Sequence, residues 1–242
     1  MSLKRPPKRQ CLKRPSSQFP KLLSLLLCFP FPALAAGLQG NVHTQWHSRY
    51  ISEGRDNLDG ASFYTASLDL SVTDLSTGVW QGWEEAGPYR ENNLYVEYAP
   101  LMGDWEPYVN LTYLQFHPDD PDDLEAGVGV SRQLTHIFSV ALDGTWSKQA
   151  EGSFYGLSLF AEKDLTDTLN TTLRLTQTYD HGYASEAYNG LNNSEAGIRF
   201  SWTRLKPVML HAGWQYSWAG EDVRRSDGAD EHWGEIGLMA YF

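Results

Sequence analysis

Residues 232–242 read HWGEIGLMAYF, and this stretch decides the fold of the chain. Counting back from Phe242, alternate positions carry the apolar side chains of Ala240, Leu238 and Ile236. The positions between them carry a mixed set that includes Glu235. Period-two alternation with one apolar face predicts a β-strand that is apolar on one side. The strand ends on an aromatic residue, Phe242, with nothing behind it in the sequence.

The beginning of the chain has the pattern of an export signal. Its seven basic residues are Lys4, Arg5, Lys8, Arg9, Lys13, Arg14 and Lys21. An apolar run over residues 22–34 follows and leads to Ala33-Leu34-Ala35, which fits the A-x-A cleavage pattern. The run is shorter than the about 20 residues that a membrane-spanning helix needs. We therefore predict a signal peptide at residues 1–35, cleaved after Ala35, and one mature domain at residues 36–242.

Cleavage at that point changes the composition of the protein. Both cysteines, Cys11 and Cys28, lie in the signal segment, so the mature chain must be stable without disulfides. Seven basic residues and no acidic ones leave with the segment. The mature chain keeps 12 Lys and Arg against 30 Asp and Glu, a formal charge of 12 − 30 = −18. This charge argues against nucleic acid as a partner, because proteins that bind nucleic acid present basic surfaces.

The mature sequence is predicted to be β-strand throughout. Val208, Leu210 and Ala212, for example, alternate with less apolar neighbours. The faces of the segment at residues 78–83 are ambiguous. We count about twelve such segments, which begin near Asn41, Ala61, Gly78, Asn93, Pro107, Leu124, Ile137, Ser153, Leu169, Ser194, Val208 and His232.

The links between these segments alternate in length. The short links are residues 73–77, 100–106, 132–136, 163–168 and 204–207, and the longer ones are residues 52–60, 84–92, 117–123, 148–152, 180–193 and 219–231. Aromatic residues on the apolar face lie near strand ends, as interfacial girdles do: Trp46, Tyr50, Tyr98, Trp146, Trp202, Trp214 and Trp218. A β-sandwich would instead bury its aromatic residues at strand centres. We therefore predict a transmembrane antiparallel up-and-down β-barrel of about twelve strands.

Signal segment, alternating strands and terminal Phe242 together resemble Gram-negative outer-membrane β-barrel proteins. The resemblance implies a location in the bacterial outer membrane, with membrane lipid and lipopolysaccharide as partners. It also implies that the barrel-assembly machinery reads Phe242 as its assembly signal. Residues 48–54 (SRYISEG) and 77–80 (TGVW) are similar to the start of TorF-like porins, with Glu53 where that motif has Arg. This second resemblance implies a porin.

If the apolar faces meet lipid, the opposite faces line a lumen. Ionisable side chains near the lipid midplane cost about 2–4 kcal/mol, and the face assignment places almost none there. The predicted lumen-lining residues are His43, His47, Arg49, Asp69, Glu97, Asp143, Glu162, Arg174, Glu195, Arg199, His211 and Glu235.

Three functions are compatible with this lumen. The first is a porin or small-solute channel, which the carboxylate excess would make selective for cations or neutral solutes. The second is a non-conducting structural or adhesive barrel, filled by Arg–carboxylate pairs and acting through its outer loops. The third is a lipid hydrolase, which would need a Ser and a His paired on the lipid-facing surface. No predicted strand supplies that pair, so we predict no enzymatic activity and no catalytic residues.

Neither a metal nor a cofactor is predicted. His43 and His47 lie four residues apart on one strand, about 13 Å, which is too far to share one metal ion easily. The acidic run at residues 117–125 (HPDDPDDLE) lacks the spaced ligands and the central glycine of a calcium-binding loop. Bridging by divalent cations to lipopolysaccharide is one interpretation of this run, and a solvated acidic loop is the one we favour.

Overall fold

The computed structural model of the protein describes residues 37–118, 120–185 and 188–242. The predicted signal peptide lies outside the described residues. The elements in chain order are β1 (Leu38–His47), β2 (Ile51–Ser52), β3 (Arg55–Asp56), β4 (Phe63–Val72), β5 (Leu75–Glu84), β6 (Arg90–Tyr98), β7 (Trp105–His117), β8 (Asp123–Gln133), β9 (Phe138–Ser147), β10 (Gly152–Thr166), β11 (Leu169–His181), β12 (Asn189–Leu205), β13 (Val208–Ala219), α1 (Glu221–Arg225) and β14 (Glu231–Tyr241).

Strands β1 and β4 to β14 form one closed antiparallel barrel of twelve strands. Each strand pairs with the barrel strand before and after it, and β14 closes the ring against β1 from Asn41↔Tyr241 to His47↔Glu235. Closure gives the barrel backbone partners on both sides of every strand, as a hydrocarbon environment requires. The short strands β2 and β3 form a separate hairpin. The predicted up-and-down barrel of about twelve strands is confirmed.

The terminal residue takes part in closing the barrel. The Phe242 backbone N–H donates to the Gly40 carbonyl over 3.0 Å, and the Gly40 N–H donates to the Phe242 carbonyl over 2.9 Å. The phenyl ring lies against Gly40, where a Cβ would come within 2.6 Å of the ring. A side chain at residue 40 would therefore displace the phenyl ring from this position.

The barrel is apolar outside and polar inside. Leu94, Leu175 and Ile236 are 54%, 55% and 61% exposed on the outer face. Among the described residues, only five hydrophobic side chains are buried, against fourteen polar or charged ones. A water-soluble protein has the opposite distribution. An outer face of this kind is stable against lipid tails.

No helix among the described residues is long and apolar enough to cross a membrane.

The connections separate into two series at opposite ends of the barrel. The turn end holds Gly37, Phe242 and the connections at residues 73–74, 99–104, 134–137, 167–168 and 206–207. The loop end holds the connections at residues 48–62, 85–89, 148–151 and 220–230, including the β2–β3 hairpin and α1, and the described residues that follow β7 (118 and 120–122) and β11 (182–185 and 188). In outer-membrane barrels, short turns face the periplasm and long loops face outward.

Two details differ from the sequence-based expectation. The long link predicted at residues 180–193 is shorter, because β11 continues to His181 and β12 already begins at Asn189. The ambiguous segment at residues 78–83 lies in β5 and has Trp80 on the lumen side, where it lines a cavity. The sequence could not assign the two faces of this segment. Its other lumen positions are Gly78 and Gly82, and glycine has no side chain that would show whether a position is polar or apolar.

Candidate functional site: the lumen and its mouth

A cavity of about 540 Å³ lies inside the barrel. Two kinds of side chain form most of its wall, one ionisable and one aromatic. The ionisable residues are His43, His47, Arg49, Glu162, Arg174, Arg199 and Glu235, and the aromatic ones are Tyr50, Phe63, Trp80, Phe160 and Trp233. Seven of the twelve residues predicted to line the lumen therefore meet in this one cavity.

Of the other five predicted residues, His211 and Glu195 contact residues of the cavity wall, and Asp69, Glu97 and Asp143 lie elsewhere on the inner face. His211 Nε2 lies 2.8 Å from His43 Nε2, and Glu195 pairs with Arg174 over 3.0 Å. Asp69 accepts a hydrogen bond from the Tyr95 hydroxyl over 2.5 Å, Glu97 accepts one from the Asn110 amide over 3.4 Å, and the Asp143 carboxylate lies beside the Cα of Gly156.

The arginines of the cavity belong to ion pairs in which the guanidinium is the more accessible partner. Arg199 lies 2.7 Å from Glu235, and its side chain is 43% exposed against 4% for the carboxylate. Arg174 is 38% exposed and its partner Glu195 is 16% exposed. Arg49, which follows β1 and pairs with Glu231 of the neighbouring strand β14, shows the same asymmetry. In each of these pairs a solute in the cavity would therefore reach the guanidinium more readily than the carboxylate.

The opposite part of the lumen wall has a different charge pattern. Strands β4 to β9 contribute carboxylates such as Asp69, Glu97 and Asp143. The only Lys or Arg side chains of residues 63–147 are Arg90 and Arg132. Arg90 donates to backbone carbonyls at the mouth, and Arg132 stacks over Trp105, 4.7 Å from its ring centroid, at the turn end. The lumen thus has one wall of Arg–Glu pairs and one wall of carboxylates without a cationic partner among the described residues.

A segment of the first loop crosses the mouth at the loop end; we call residues 48–57 the strap. On one side the Tyr50 hydroxyl donates to Glu91 on β6 over 2.7 Å, and its ring stacks on Phe63 with centroids 4.1 Å apart. On the other side Arg55 donates to Asn192 on β12 over 2.8 Å. In the twelve-membered ring β6 and β12 are six strands apart, so they lie on opposite sides of the barrel. The strap therefore spans the opening.

The far end of the strap is anchored by an ion pair and by close packing. Arg55 lies 2.8 Å from Asp222 of α1; the arginine side chain is 17% exposed and the carboxylate is fully buried. The Asn192 amide donates back to the Glu53 carbonyl over 2.8 Å. Gly54 has φ +73°, and a Cβ there would lie 2.8 Å from the side chain of Asn193. Both the backbone conformation and the lack of space require glycine at this position.

Burial at the mouth changes the acidity of the strap and its anchor. Burial raises the pKa of Glu53, and the nearby Glu91 carboxylate adds to the effect while Arg55 opposes it. Burial also raises the pKa of Asp222, because its contact with Arg55 offsets the desolvation only in part. The pKa of Tyr50 is well above its usual value, through burial and the neighbouring Glu91. These shifts favour the protonated, uncharged side chains of Tyr50, Glu53 and Asp222.

The strap corrects two expectations from the sequence. Tyr50 was expected in the lipid-facing aromatic girdle, and it lies inside the mouth instead. Arg49 was expected on the inner face of the first strand, and it lies in the strap, where it still lines the cavity. The reason is common to both: β1 ends at His47, so strand alternation no longer determines where the following side chains point.

Sequence reasoning did not identify the anchor residues Arg55, Asn192 and Asp222. All three lie in links predicted between the strands, where no alternation assigns faces, and 137 and 167 residues separate Arg55 from its two partners. One signal was available. A Gly at residue 54 inside a polar loop, followed by an arginine, is compatible with a tight turn.

Comparison with known proteins gives a match at the level of structure alone. No family model and no curated protein matches the chain. A solved KdgM porin superposes with a TM-score of 0.60 at 9% identity, over 84% of this chain and 99% of that one. A NanC porin gives 0.53 at 10% identity, over 83% and 98% of the two chains. An outer-membrane channel from Pseudomonas putida F1 gives 0.53 at 11%, over 85% and 96%.

At these identities the likeness concerns the fold. The resemblance to TorF-like porins stays a prediction, since no family model matches. The chain has the fold of the solved outer-membrane porins and channels, a closed antiparallel barrel here built of twelve strands.

Proposed function

We propose that the protein is a channel for small solutes in the bacterial outer membrane. One observation carries the proposal: the closed barrel encloses a cavity of about 540 Å³ whose wall is rich in charged and polar groups. A barrel that served only as a scaffold could fill its interior with packed side chains. An accessible, charged interior instead suits the passage of hydrated solutes.

The location and partners belong to the same proposal. The apolar outer face suits contact with membrane lipid, and the loop end suits contact with lipopolysaccharide. Export through the predicted signal peptide and recognition of Phe242 by the barrel-assembly machinery would bring the chain to the outer membrane. The solved structures that share its fold are named as porins and channels, and this favours transport over catalysis.

The charge pattern supports a preference for cations or neutral solutes. On the wall of β4 to β9, Asp69, Glu97 and Asp143 have hydrogen-bonding or backbone neighbours and no arginine. On the opposite wall each arginine is neutralised by a carboxylate. The net field in the lumen is therefore negative, which attracts cations and repels small anions.

The strap favours a second candidate, a barrel that does not conduct. Residues 48–57 bridge opposite sides of the mouth from Glu91 to Asn192, and the loops around them could meet partners outside. In this alternative the Arg–Glu pairs of the lumen support structure alone.

Conductance of the refolded mature chain in a planar bilayer separates the two candidates. A tenfold salt gradient across the membrane gives the ion selectivity from the reversal potential. Discrete current steps with a reversal potential on the cation side support the channel. Absence of steps from protein shown by its circular dichroism and heat-modifiable gel mobility to be folded and inserted would overturn the channel and favour the non-conducting barrel.

A further inference from the structure

One row of the lumen wall brings a free carboxylate opposite a guanidinium. Glu162 of β10 pairs in register with Thr172 of β11, and Thr172 pairs with Arg199 of β12. All three line the cavity. Neighbouring strands are about 4.8 Å apart, so the backbones of Glu162 and Arg199 are about 10 Å apart. Only the short Thr172 side chain lies between them.

The Glu162 carboxylate and the Arg199 guanidinium can both form further hydrogen bonds and ion pairs. Glu162 is exposed and forms no ion pair with any residue that the structure describes. Arg199 uses Nε and Nη2 toward Glu235, which leaves the N–H donors of Nη1 free, since a guanidinium has five donors. Arg174 stands in the adjacent row and is engaged through Nη2 by Glu195. Two guanidinium groups therefore offer donors to the space in front of Glu162.

The position of Glu162 in front of two guanidinium groups favours zwitterions over simple anions and simple cations. A simple anion at Arg199 would be repelled by Glu162, and a simple cation at Glu162 would be repelled by the two guanidiniums. A molecule with an ammonium and a carboxylate satisfies both sides at once. Phe160, which pairs with Arg174 in the adjacent row, also lines the cavity and offers an apolar surface beside the charges.

We propose that this cavity binds zwitterionic solutes of the α-amino acid type. The ammonium group lies at Glu162, the carboxylate lies at Arg199 and Arg174, and an apolar side chain packs toward Phe160. The inference rests on the proposed channel function and names the class of solute. A zwitterion carries no net charge, so its entry is compatible with a lumen that favours cations or neutral solutes.

Calorimetric titration of the folded mature chain in detergent tests this site without requiring conduction. The probes are phenylalanine, 3-phenylpropionate, which lacks the ammonium, and phenethylamine, which lacks the carboxylate. Each missing charged contact is expected to weaken binding about tenfold, so phenylalanine should have the lowest Kd by that factor. Equal Kd values for the three probes, or no binding of phenylalanine at millimolar concentration, would overturn the proposal.

A pair of variants on one strand assigns the ammonium contact. Glu162→Gln should raise the Kd of phenylalanine about tenfold and leave 3-phenylpropionate binding as tight or tighter. Asp164→Asn removes the same charge two residues away on β10, outside the cavity lining, and should change neither Kd. If wild-type protein binds phenylalanine and Glu162→Gln binds it equally well, the assignment is wrong.

The two proposals fail in different ways. Conductance in the bilayer without selective binding of phenylalanine would overturn the solute class and leave the channel. Selective binding in detergent without conductance would overturn the channel and leave a zwitterion-binding barrel.

Discussion

Removing the guanidinium of Arg55 should release the strap from the mouth of the barrel. In the folded protein this group donates to the fully buried Asp222 carboxylate and to the Asn192 side chain, both over 2.8 Å. The substitution Arg55→Ala leaves that carboxylate without its cation and removes the side-chain contacts from Arg55 to Asn192 and Asp222, while the hydrogen bond from Asn192 to the Glu53 carbonyl remains. The backbone pairing of the barrel strands is unchanged, because Arg55 lies in the β2–β3 hairpin, which pairs with no barrel strand.

The size of the effect follows from the burial of the pair. Removing one partner of a buried ion pair costs about 3–5 kcal/mol. Arg55 is 17% exposed and water can enter once the arginine is gone, so we take about 2–3 kcal/mol for the docked strap. At 1.4 kcal/mol for each factor of ten, the equilibrium between docked and released strap should shift by about 30- to 150-fold.

Hydrogen exchange followed by mass spectrometry measures this shift directly. Backbone amides of residues 48–57 should lose protection by about that factor in Arg55→Ala, while amides of the barrel strands keep theirs. In the bilayer the same variant should spend more time in its highest-conductance state. Arg224→Ala is the matched control, since its ion pair with Asp230 in the neighbouring loop is 58% and 36% exposed and should matter little. Unchanged protection of the strap in Arg55→Ala, or equal loss in the control, would refute the reasoning.

Three further predictions concern charge, packing and pH. Asp143→Asn should move the reversal potential toward that of a non-selective pore, whereas Asp74→Asn, in a turn outside the lumen, should leave it unchanged. Gly54→Ala and Gly60→Ala both place alanine at a positive φ, but only Gly54 has a side chain within 3 Å of the new Cβ; urea titration should show Gly54→Ala the less stable by about 1 kcal/mol or more. Because burial raises the pKa of Glu53, strap docking should be strongest below the ordinary carboxyl pKa of 4.5 and weaken as the pH rises through the raised value. Hydrogen exchange of the strap across this range should show that trend in the wild type and a smaller one in Glu53→Gln; a strap that docks more tightly as pH rises would contradict it.

Much of the barrel could be predicted from the sequence because strand alternation is a local property. In a two-faced strand each residue's side is determined by its neighbours, so residues such as His211, Arg199 and Glu235 could be assigned to the lumen one strand at a time. Alternation also predicted the number of strands. It gave no answer at Gly78 and Gly82, where the lumen positions have no side chain.

The candidate site depended on contacts that no local pattern contains. Alternation places Glu162 and Arg199 on the inner face, but their separation by one threonine depends on the register of three strands. The same holds for His43 and His211, which are 168 residues apart in sequence and 2.8 Å apart in space.

The sequence by itself therefore determined the class of fold, the two faces of most strands and the kinds of charge that the lumen contains. The tertiary structure alone decided which charges neutralise one another and whether the mouth is open. Strand faces follow from the two-residue period of an extended backbone, which acts between neighbours. Ion pairing and the path of the strap follow from barrel closure, which joins Arg55 to Asn192 and Asp222 across more than half of the chain.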